Sequence, residues 1–274
     1  MIHLCLATML TLASVDVDRQ GLTVKIDPTT NLVEGVSTMT VTGDGDLAFR
    51  IHPSSEIHRI LVDGVEIDPG PGPSLPDLRS GAEVVMHWRG VHREDVAAGE
   101  RPGRIHNQSV RAHAAEDGIF LSDGSDWHSQ PLDERGRPQL RPMSVRFEEL
   151  AGWSLVASGD PADGDRPEAP SWSWVTPRPV AGVAVAGNRH GHFHRTVATD
   201  HGPVDVVAQL SEANADKAGF YLDAAEDYLV RYTRLLGPYP FERFTVVENF
   251  FSSGFAFPGF TLLGPRVVGM APRS

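Results

Sequence analysis

Short runs of alternating apolar and polar residues follow one another between residues 22 and 208. A period of two is typical of strands with one buried face, and turn signals rich in Gly, Asp and Pro separate the runs. Strand after strand without intervening helices favours an antiparallel sandwich or a saddle-shaped sheet. Residues 92–118 carry little periodicity, and we expect a long surface loop there. The predicted strands are 22–26, 33–41, 46–51, 57–62, 83–88, 144–149, 153–158, 171–176, 181–187, 192–198 and 204–210.

The pattern then changes to the spacing of a helix. Between residues 211 and 236, apolar residues recur at intervals of three and four, which places them on one face of an amphipathic helix. Ser211 or Asn214 is the expected N-cap, and Gly237, which prolines follow, is the expected end. The predicted apolar stripe consists of Ala218, Leu222, Ala225, Leu229, Tyr232 and Leu236.

This change of pattern indicates a domain boundary near residues 208–212. After the helix come a predicted strand at 244–251 and a Gly-rich apolar stretch, so strands alone give way to a mixture of helix and strand. The predicted fold class is therefore mostly β. An N-terminal antiparallel β-sandwich or saddle domain covers residues 15–209, and a truncated α+β unit covers residues 210–274.

Charge and cysteine content exclude several classes of function. The chain has 36 acidic and 24 basic residues, a formal net charge of −12, which argues against a nucleic-acid surface. Cys5 is the single cysteine, so the sequence offers neither a disulfide framework nor a thiolate zinc site. No apolar run reaches the ~18 residues that a membrane span requires.

Residues 1–14 form a candidate signal peptide. They are mostly apolar and have the length of a signal-peptide core, and cleavage after Ala13 would leave Thr11 and Ala13 at the small-residue positions. No Lys or Arg precedes Arg19, so the basic region that usually begins such a peptide is missing. Two alternatives follow: a secreted or periplasmic protein if residues 1–13 are removed, and a cytoplasmic protein if they form a buried first strand.

The order of features near the C-terminus is a family signature. A helix leads to Leu235–Phe241 (LLGPYPF), then to the strand residues 244–248 and the Gly-Pro loop 254–259. Upstream, residues 22–41, 118–129 and 153–160 fit in the same order. The chain resembles the aminopeptidase N-like (gluzincin) zinc metallopeptidases over most of residues 20–268.

This resemblance implies an N-terminal β-saddle followed by the start of a thermolysin-like catalytic domain. It also implies zinc-dependent removal of N-terminal amino acids from peptides, with zinc on an H-E-x-x-H motif and a later Glu. No H-E-x-x-H occurs among the twelve histidines, and we expect the motif to lie beyond Ser274. The chain alone is therefore expected to have no catalytic residues, no cofactor and no activity, while zinc and a peptide substrate are implied for a full-length relative.

The Gly-Pro loop departs from the family in one respect. The resemblance implies a Glu in this loop that pairs with the free α-ammonium of the substrate, but Ala256 or Phe257 takes that position, and neither neutralises an ammonium. What remains is capture of a peptide backbone by a strand edge at 252–258, with Phe255 and Phe257 lining a pocket. The alternative is that these aromatic residues belong to the core. The candidate substrate-binding residues are Gly254, Phe255, Ala256, Phe257, Pro258 and Gly259.

Three further groups have alternative interpretations. His190, His192 and His194 share one face of a strand and are a weak alternative metal site against a solvated strand face. Acidic pairs at 133–134 and 148–149 are expected to be surface groups rather than a proton-transfer pair. The tryptophans that are either a stacking platform or, as we favour, core packing are Trp127, Trp153, Trp172 and Trp174.

A second function class stays open at this point. The chain could act as a non-catalytic β-sandwich module that binds a peptide or a protein. In either case the apolar residues of 211–274 are expected to leave an exposed surface through which the chain associates with a partner.

Overall fold

The computed structural model describes residues 14–68, 73–96, 110–162 and 167–272. Residues 1–13 of the candidate signal peptide (1–14) lie outside the described residues. In chain order the strands are β1 (Asp16–Asp27), β2 (Leu32–Thr42), β3 (Gly45–Arg50), β4 (Ser55–Val62), β5 (Val65–Ile67), β6 (Ser74–Leu78), β7 (Glu83–Val91), β8 (Ala112–Ala115), β9 (Gly118–Leu121), β10 (Gln130–Leu132), β11 (Met143–Phe147), β12 (Ser154–Ala157), β13 (Asp160–Pro161), β14 (Ser173–Val175), β15 (Val185–Asn188), β16 (Gly191–Thr199), β17 (Gly202–Leu210), β18 (Arg243–Glu248), β19 (Phe255–Phe257) and β20 (Phe260–Leu263).

The α-helices lie near the C-terminal end of the described residues. A 3₁₀ helix (Glu212–Lys217) leads into α1 (Ala218–Leu236), and the short α2 (Pro265–Gly269) follows β20. The mostly-β prediction is confirmed, and the single long helix lies where its apolar spacing predicted it. None of the described helices is long and apolar enough to cross a membrane.

The first part of the chain is a sandwich. An eight-stranded sheet, in the order β13-β14-β11-β1-β2-β7-β4-β5, packs on a four-stranded sheet in the order β12-β15-β9-β8. Side chains from both sheets form one core, in which Trp88 and Trp127 meet edge to face with ring centroids 5.9 Å apart. A three-stranded sheet, β10-β3-β6, packs against residues of β1, β2, β4 and β7 in the large sheet, and together they form a second core.

The prediction of a long surface loop at 92–118 is wrong for its described C-terminal part. Residues 112–115 form β8, which pairs with β9 and is buried along its whole length. Burial on both faces removes the polar-apolar alternation, so the periodicity gave no signal. The carboxylate of Glu94 holds the start of β8 by accepting the backbone N–H groups of Arg111 and Ala112, both at 2.9 Å.

The second part of the fold is a five-stranded sheet in the order β16-β17-β18-β20-β19. Strands β17, β18 and β20 run parallel, whereas β16 and β19 are antiparallel edge strands. This sheet includes strands on both sides of residue 209, and the division at 209–210 stays a prediction about folding units. Helix α1 packs on the β16–β17 face, and the opposite face packs on the four-stranded sheet.

The start of the helical segment differs from the prediction. Neither Ser211 nor Asn214 makes a side-chain cap; instead, the buried carboxylate of Glu248 accepts the N–H of Ser211 at 2.8 Å and the Nδ2–H of Asn214 at 2.7 Å. A carboxylate from another element thus satisfies the orphan donor at the helix start. The predicted end is observed, because Gly237 takes a left-handed φ of 94°.

The predicted apolar stripe of α1 divides into two parts. Its N-terminal residues, from Ala218 to Leu229, are buried against β16 and β17. Its C-terminal residues are exposed: 49% of Tyr232 and 83% of Leu236 face solvent. With Tyr228 and Leu235 these two residues form an exposed apolar surface, which we name the α1 patch.

Candidate functional site

The candidate loop 254–259 is a hairpin at the edge of the five-stranded sheet. Phe255 pairs with Leu262, Ala256 with Thr261, and Phe257 with Phe260. Within the described residues no strand lies on the outer side of β19. The predicted strand edge at this place is therefore present in the fold.

The register of the hairpin decides which backbone groups face outward. Because Pro258 and Gly259 form a two-residue connection, Phe257 and Phe260 exchange both of their backbone hydrogen bonds. Hydrogen-bonded and non-hydrogen-bonded pairs alternate along an antiparallel ladder, so Ala256 is the residue that bonds to neither β20 partner. The N–H and C=O of Ala256 consequently point away from the sheet, and the residue is exposed.

The β-sandwich and the neighbouring strand β18 together hold the turn of this hairpin in place. The N–H of Gly159 donates to the carbonyl of Pro258 at 3.0 Å, and the N–H of Thr245 donates to the carbonyl of Gly259 at 2.9 Å. Gly259 has a φ of 86°, and a Cβ at this position would lie 2.6 Å from the carbonyl oxygen of Gly159. Only glycine fits both requirements, so the hairpin has a fixed position on the sandwich.

One face of β19 is an aromatic surface. Phe255 and Phe257 project to the same side with ring centroids 5.9 Å apart, and Phe120 of β9 stacks on Phe255 at 5.0 Å. Phe251 and Phe260 contact the same group of rings. Phe255 and Phe257 are only partly buried. One side of each ring packs on the core between the four-stranded and five-stranded sheets, and the other side faces solvent. The inner sides of these rings thus belong to the core, and their role in lining a peptide pocket stays a prediction.

Charged groups are scarce around this hairpin. The sequence has no acidic or basic residue between Glu248 and Arg266. Glu248 is itself buried and bound at the helix start, as described above. Asp160, beside the hairpin turn, accepts the backbone N–H of Glu242 at 2.7 Å, and burial raises its pKa. The segment that forms β19 and its hairpin therefore has no charged side chain of its own.

Two of the three candidate histidines have separate partners, and the buried Nδ1 of His190 has none among the described residues. His192 shares its Nε2 proton with the carbonyl of Pro167 at 2.7 Å, and His194 Nε2 lies 3.2 Å from the carboxylate of Asp205. His190 precedes β16, and burial lowers its pKa to about 4. No group of three or more His, Cys, Asp or Glu side chains in the described part of the chain is arranged to hold a metal ion.

A zinc ion does not fit the described residues. The sequence lacks H-E-x-x-H. Among the described histidines, His128 and His192 bond to backbone carbonyls, His194 pairs with one carboxylate, and His52 and His92 pack against each other.

The remaining candidate groups lie apart from the hairpin. Asp133 binds Arg137 in an exposed turn, at 2.7 Å between Oδ2 and Nη2. Among the tryptophans, Trp127, Trp153 and Trp174 are at most 5% exposed and belong to the sandwich core, and the guanidinium of Arg189 lies 4.9 Å above the ring of Trp153.

Sequence reasoning did not identify two parts of this site. Phe120 lies more than a hundred residues before β19, and Gly159 begins a Gly-, Asp- and Pro-rich turn whose pattern predicts a turn but not what the turn contacts. Both meet the hairpin only because the sandwich packs on the five-stranded sheet. A pairing of distant segments of this kind is a property of tertiary structure and leaves no periodicity in the chain.

Comparisons with known proteins give the fold a context. No family model matches the chain, and no curated protein matches it. An M1 zinc metallopeptidase from Deinococcus radiodurans, solved as a mutant bound to a Tyr-Ser-Ala substrate, has a TM-score of 0.67 at 14% identity; the match covers 92% of this chain and 61% of that chain. A two-domain M1 zinc metallopeptidase, solved as a mutant bound to L-tryptophan, has a TM-score of 0.68 at 14% identity. That match covers 91% of this chain and 60% of that chain.

Aminopeptidase A of Legionella pneumophila, in complex with aspartic acid, matches at a TM-score of 0.65 and 11% identity, over 91% of this chain and 30% of that chain. The chain thus spans well under two thirds of the length of these proteins. At such identities the likeness concerns the fold, and at that level the resemblance predicted from the sequence is confirmed. Over about nine tenths of its length, the chain has the fold of the N-terminal part of M1 zinc metallopeptidases, which is 61% of the Deinococcus radiodurans protein.

Proposed function

We propose that this chain is the peptide-binding front part of an M1-type zinc peptidase. It holds a peptide in extended form along β19, and residues 254–259 are the binding residues. Cleavage of the peptide requires a zinc-bearing part with the H-E-x-x-H set, which the chain does not contain. The relative from Deinococcus radiodurans, which was solved with a bound Tyr-Ser-Ala substrate, supports a peptide as the ligand.

The observation that carries this proposal is the outward-facing backbone of Ala256. An edge strand with a free N–H and C=O recruits an extended peptide as an additional strand. The fixed turn at Pro258 and Gly259 holds that edge rigidly, which lowers the entropy cost of binding. The partly exposed rings of Phe255 and Phe257 supply apolar contact beside it.

Replacing Ala256 with proline is expected to abolish peptide binding and to leave the fold intact. Proline removes the outward N–H but no hydrogen bond within the sheet, and edge strands tolerate it. Binding of a labelled Ser-Phe-Ala-Phe-Ser peptide, measured by fluorescence anisotropy, should weaken at least about tenfold because a buried pairing group is lost. Ala256→Val keeps the N–H and is the control. Equal affinity of Ala256→Pro and the unchanged chain would reject β19 as the binding edge.

The second candidate, a binding module without any hydrolysis, shares this edge. The lack of a metal-ligand set among the described residues supports it equally for the chain by itself. The two candidates differ in what happens to the peptide. Mass spectrometry of the peptide after incubation with the full-length gene product and zinc distinguishes them, since a shortened peptide appears only with the peptidase.

The α1 patch is the proposed surface of association. A groove of about 270 Å³ lies between the end of α1 and the loop after it, and Tyr228, Tyr232, Leu236, Pro238 and Tyr239 are among its lining residues. The rings of Tyr228 and Tyr232 stack in parallel beside it, with centroids 5.8 Å apart.

Introducing charge into the α1 patch is expected to reduce self-association of the chain. In Leu236→Glu a carboxylate replaces a side chain that is 83% exposed, and burying that charge in an interface costs several kcal/mol. Sedimentation velocity over a range of protein concentrations measures the effect. Val65→Glu, at a 66% exposed position in β5, is the matched control and should associate like the unchanged chain. Identical concentration dependence of all three proteins would exclude the patch.

A further inference from the structure

The surroundings of β19 limit the chemistry of the peptide that this edge can take. We propose that the β19 edge recognises peptide segments through aromatic or aliphatic side chains and does not require a free α-amino group; this inference rests on the peptide-binding function proposed above. The ligand class is thus an uncharged, extended segment, including internal and N-acylated segments.

Electrostatics provide the first argument. A peptide ammonium held at the edge needs a carboxylate partner, because an unpaired charge in an apolar environment is strongly disfavoured. From residue 249 to residue 265 the sequence contains no charged residue. The carboxylates that flank this stretch and its turn, Glu248 and Asp160, already accept backbone N–H groups. The stretch that forms this edge therefore supplies no carboxylate of its own that would select an ammonium.

The strand register provides the second argument. A peptide residue that pairs with Ala256 uses its own N–H and C=O, and the residues on either side of it place their side chains on the opposite face. That face is the one that carries Phe255 and Phe257. The two flanking peptide side chains consequently contact partly exposed rings, and aromatic pairs of this kind raise affinity by about twofold to tenfold each.

The test compares two labelled peptides of the sequence Ser-Phe-Ala-Phe-Ser, one with a free amino terminus and one N-acetylated, against the whole chain at neutral pH. We expect dissociation constants within about twofold of each other. A preference of tenfold or more for the free amine would overturn the inference and leave the proposed binding function standing. Absence of binding by both peptides would reject the binding function itself, and the inference with it.

A second comparison tests the aromatic contribution. Serine in place of the two peptide phenylalanines should weaken binding by about fivefold or more, and Phe255→Leu should remove part of that difference. Phe220→Leu, at a 38% exposed position on α1, is the control and should bind like the unchanged chain. Thermal unfolding of each variant verifies the fold. Equal affinity for the two peptide sequences would overturn selection by aromatic side chains.

Discussion

Replacing Arg141 with methionine is expected to lower the free energy of unfolding by about 3 kcal/mol, because buried acceptors then lose their donor. Arg141 is fully buried beside the start of β11. Its Nε donates to Gln20 Oε1 at 2.7 Å, its Nη1 to the carbonyl of Gln139 at 2.7 Å, and its Nη2 to Gln130 Oε1 at 2.9 Å. None of these acceptors is a carboxylate.

This arginine joins the large sheet to the three-stranded sheet. Gln20 belongs to β1 in the large sheet, and Gln130 belongs to β10 in the three-stranded sheet. Gln20 also donates to Ser37 Oγ at 2.5 Å and to the carbonyl of Ser129 at 2.9 Å. Burial lowers the pKa of Arg141 to about 9, so the guanidinium stays charged at neutral pH. Its charge is stabilised by amide and carbonyl dipoles alone, which makes the complete set of hydrogen bonds necessary.

Urea unfolding measures the effect, with Arg137→Met as the matched control. Arg137 lies only four residues away, is exposed and pairs with Asp133, so its loss should cost less than about 1 kcal/mol. Arg141→Lys keeps a positive charge without the planar fork and should fall between the two. An Arg141→Met variant as stable as the unchanged chain would mean that the network contributes nothing to the fold.

Sequence patterns predicted the elements of this protein better than their assembly. Strands such as β1 and β2 were found because each has one buried face and therefore alternates. β8 was missed because both of its faces are buried. Helix α1 was found from its spacing, but its start depends on Glu248, a residue of a strand that follows the helix in the chain. Long-range polar contacts of this kind are invisible to local periodicity.

The same distinction applies to the candidate site. The Gly-Pro loop and its two phenylalanines could be named from sequence, since their order resembles that of a known family. That Ala256 faces outward depends on the pairing register, and the aromatic surface depends on Phe120. The absence of charged residues between 249 and 265 could be seen in the sequence. Only the structure shows that the carboxylates of Glu248 and Asp160, which flank this stretch and its turn, already accept hydrogen bonds from other segments.

Lowering the pH from 7 to 5 is expected to destabilise the chain by several kcal/mol through three buried histidines. Burial, with the charge of Arg141 as a smaller cause, lowers the pKa of His128 to about 3. Burial, and then the neighbouring His52, lowers the pKa of His92 to about 4. Burial also lowers the pKa of His190 to about 4, despite the nearby Glu248.

The sign follows from proton uptake. In the unfolded chain these histidines have an ordinary pKa of 6.5. Below that pH the unfolded state therefore binds protons, whereas the buried histidines of the folded state stay unprotonated. The stabilisation is complete above pH 6.5 and decreases as the pH falls towards 4, by up to about 1.4 kcal/mol per pH unit for each histidine. Together, three such groups remove a large part of the free energy of unfolding, which is ~5–15 kcal/mol for a typical domain.

Urea unfolding at pH 7, 6 and 5 tests this dependence in a range that lies above the titration of most carboxylates. His128→Asn removes one titrating group from the core and should reduce the slope by about 1.4 kcal/mol per pH unit, even if the variant is less stable at pH 7. His201→Asn makes the same exchange in the exposed turn between β16 and β17 and is the control for the substitution itself. A stability that stays constant between pH 7 and pH 5 would show that these histidines take up protons in the folded protein, and the buried sites assigned to them would then be wrong.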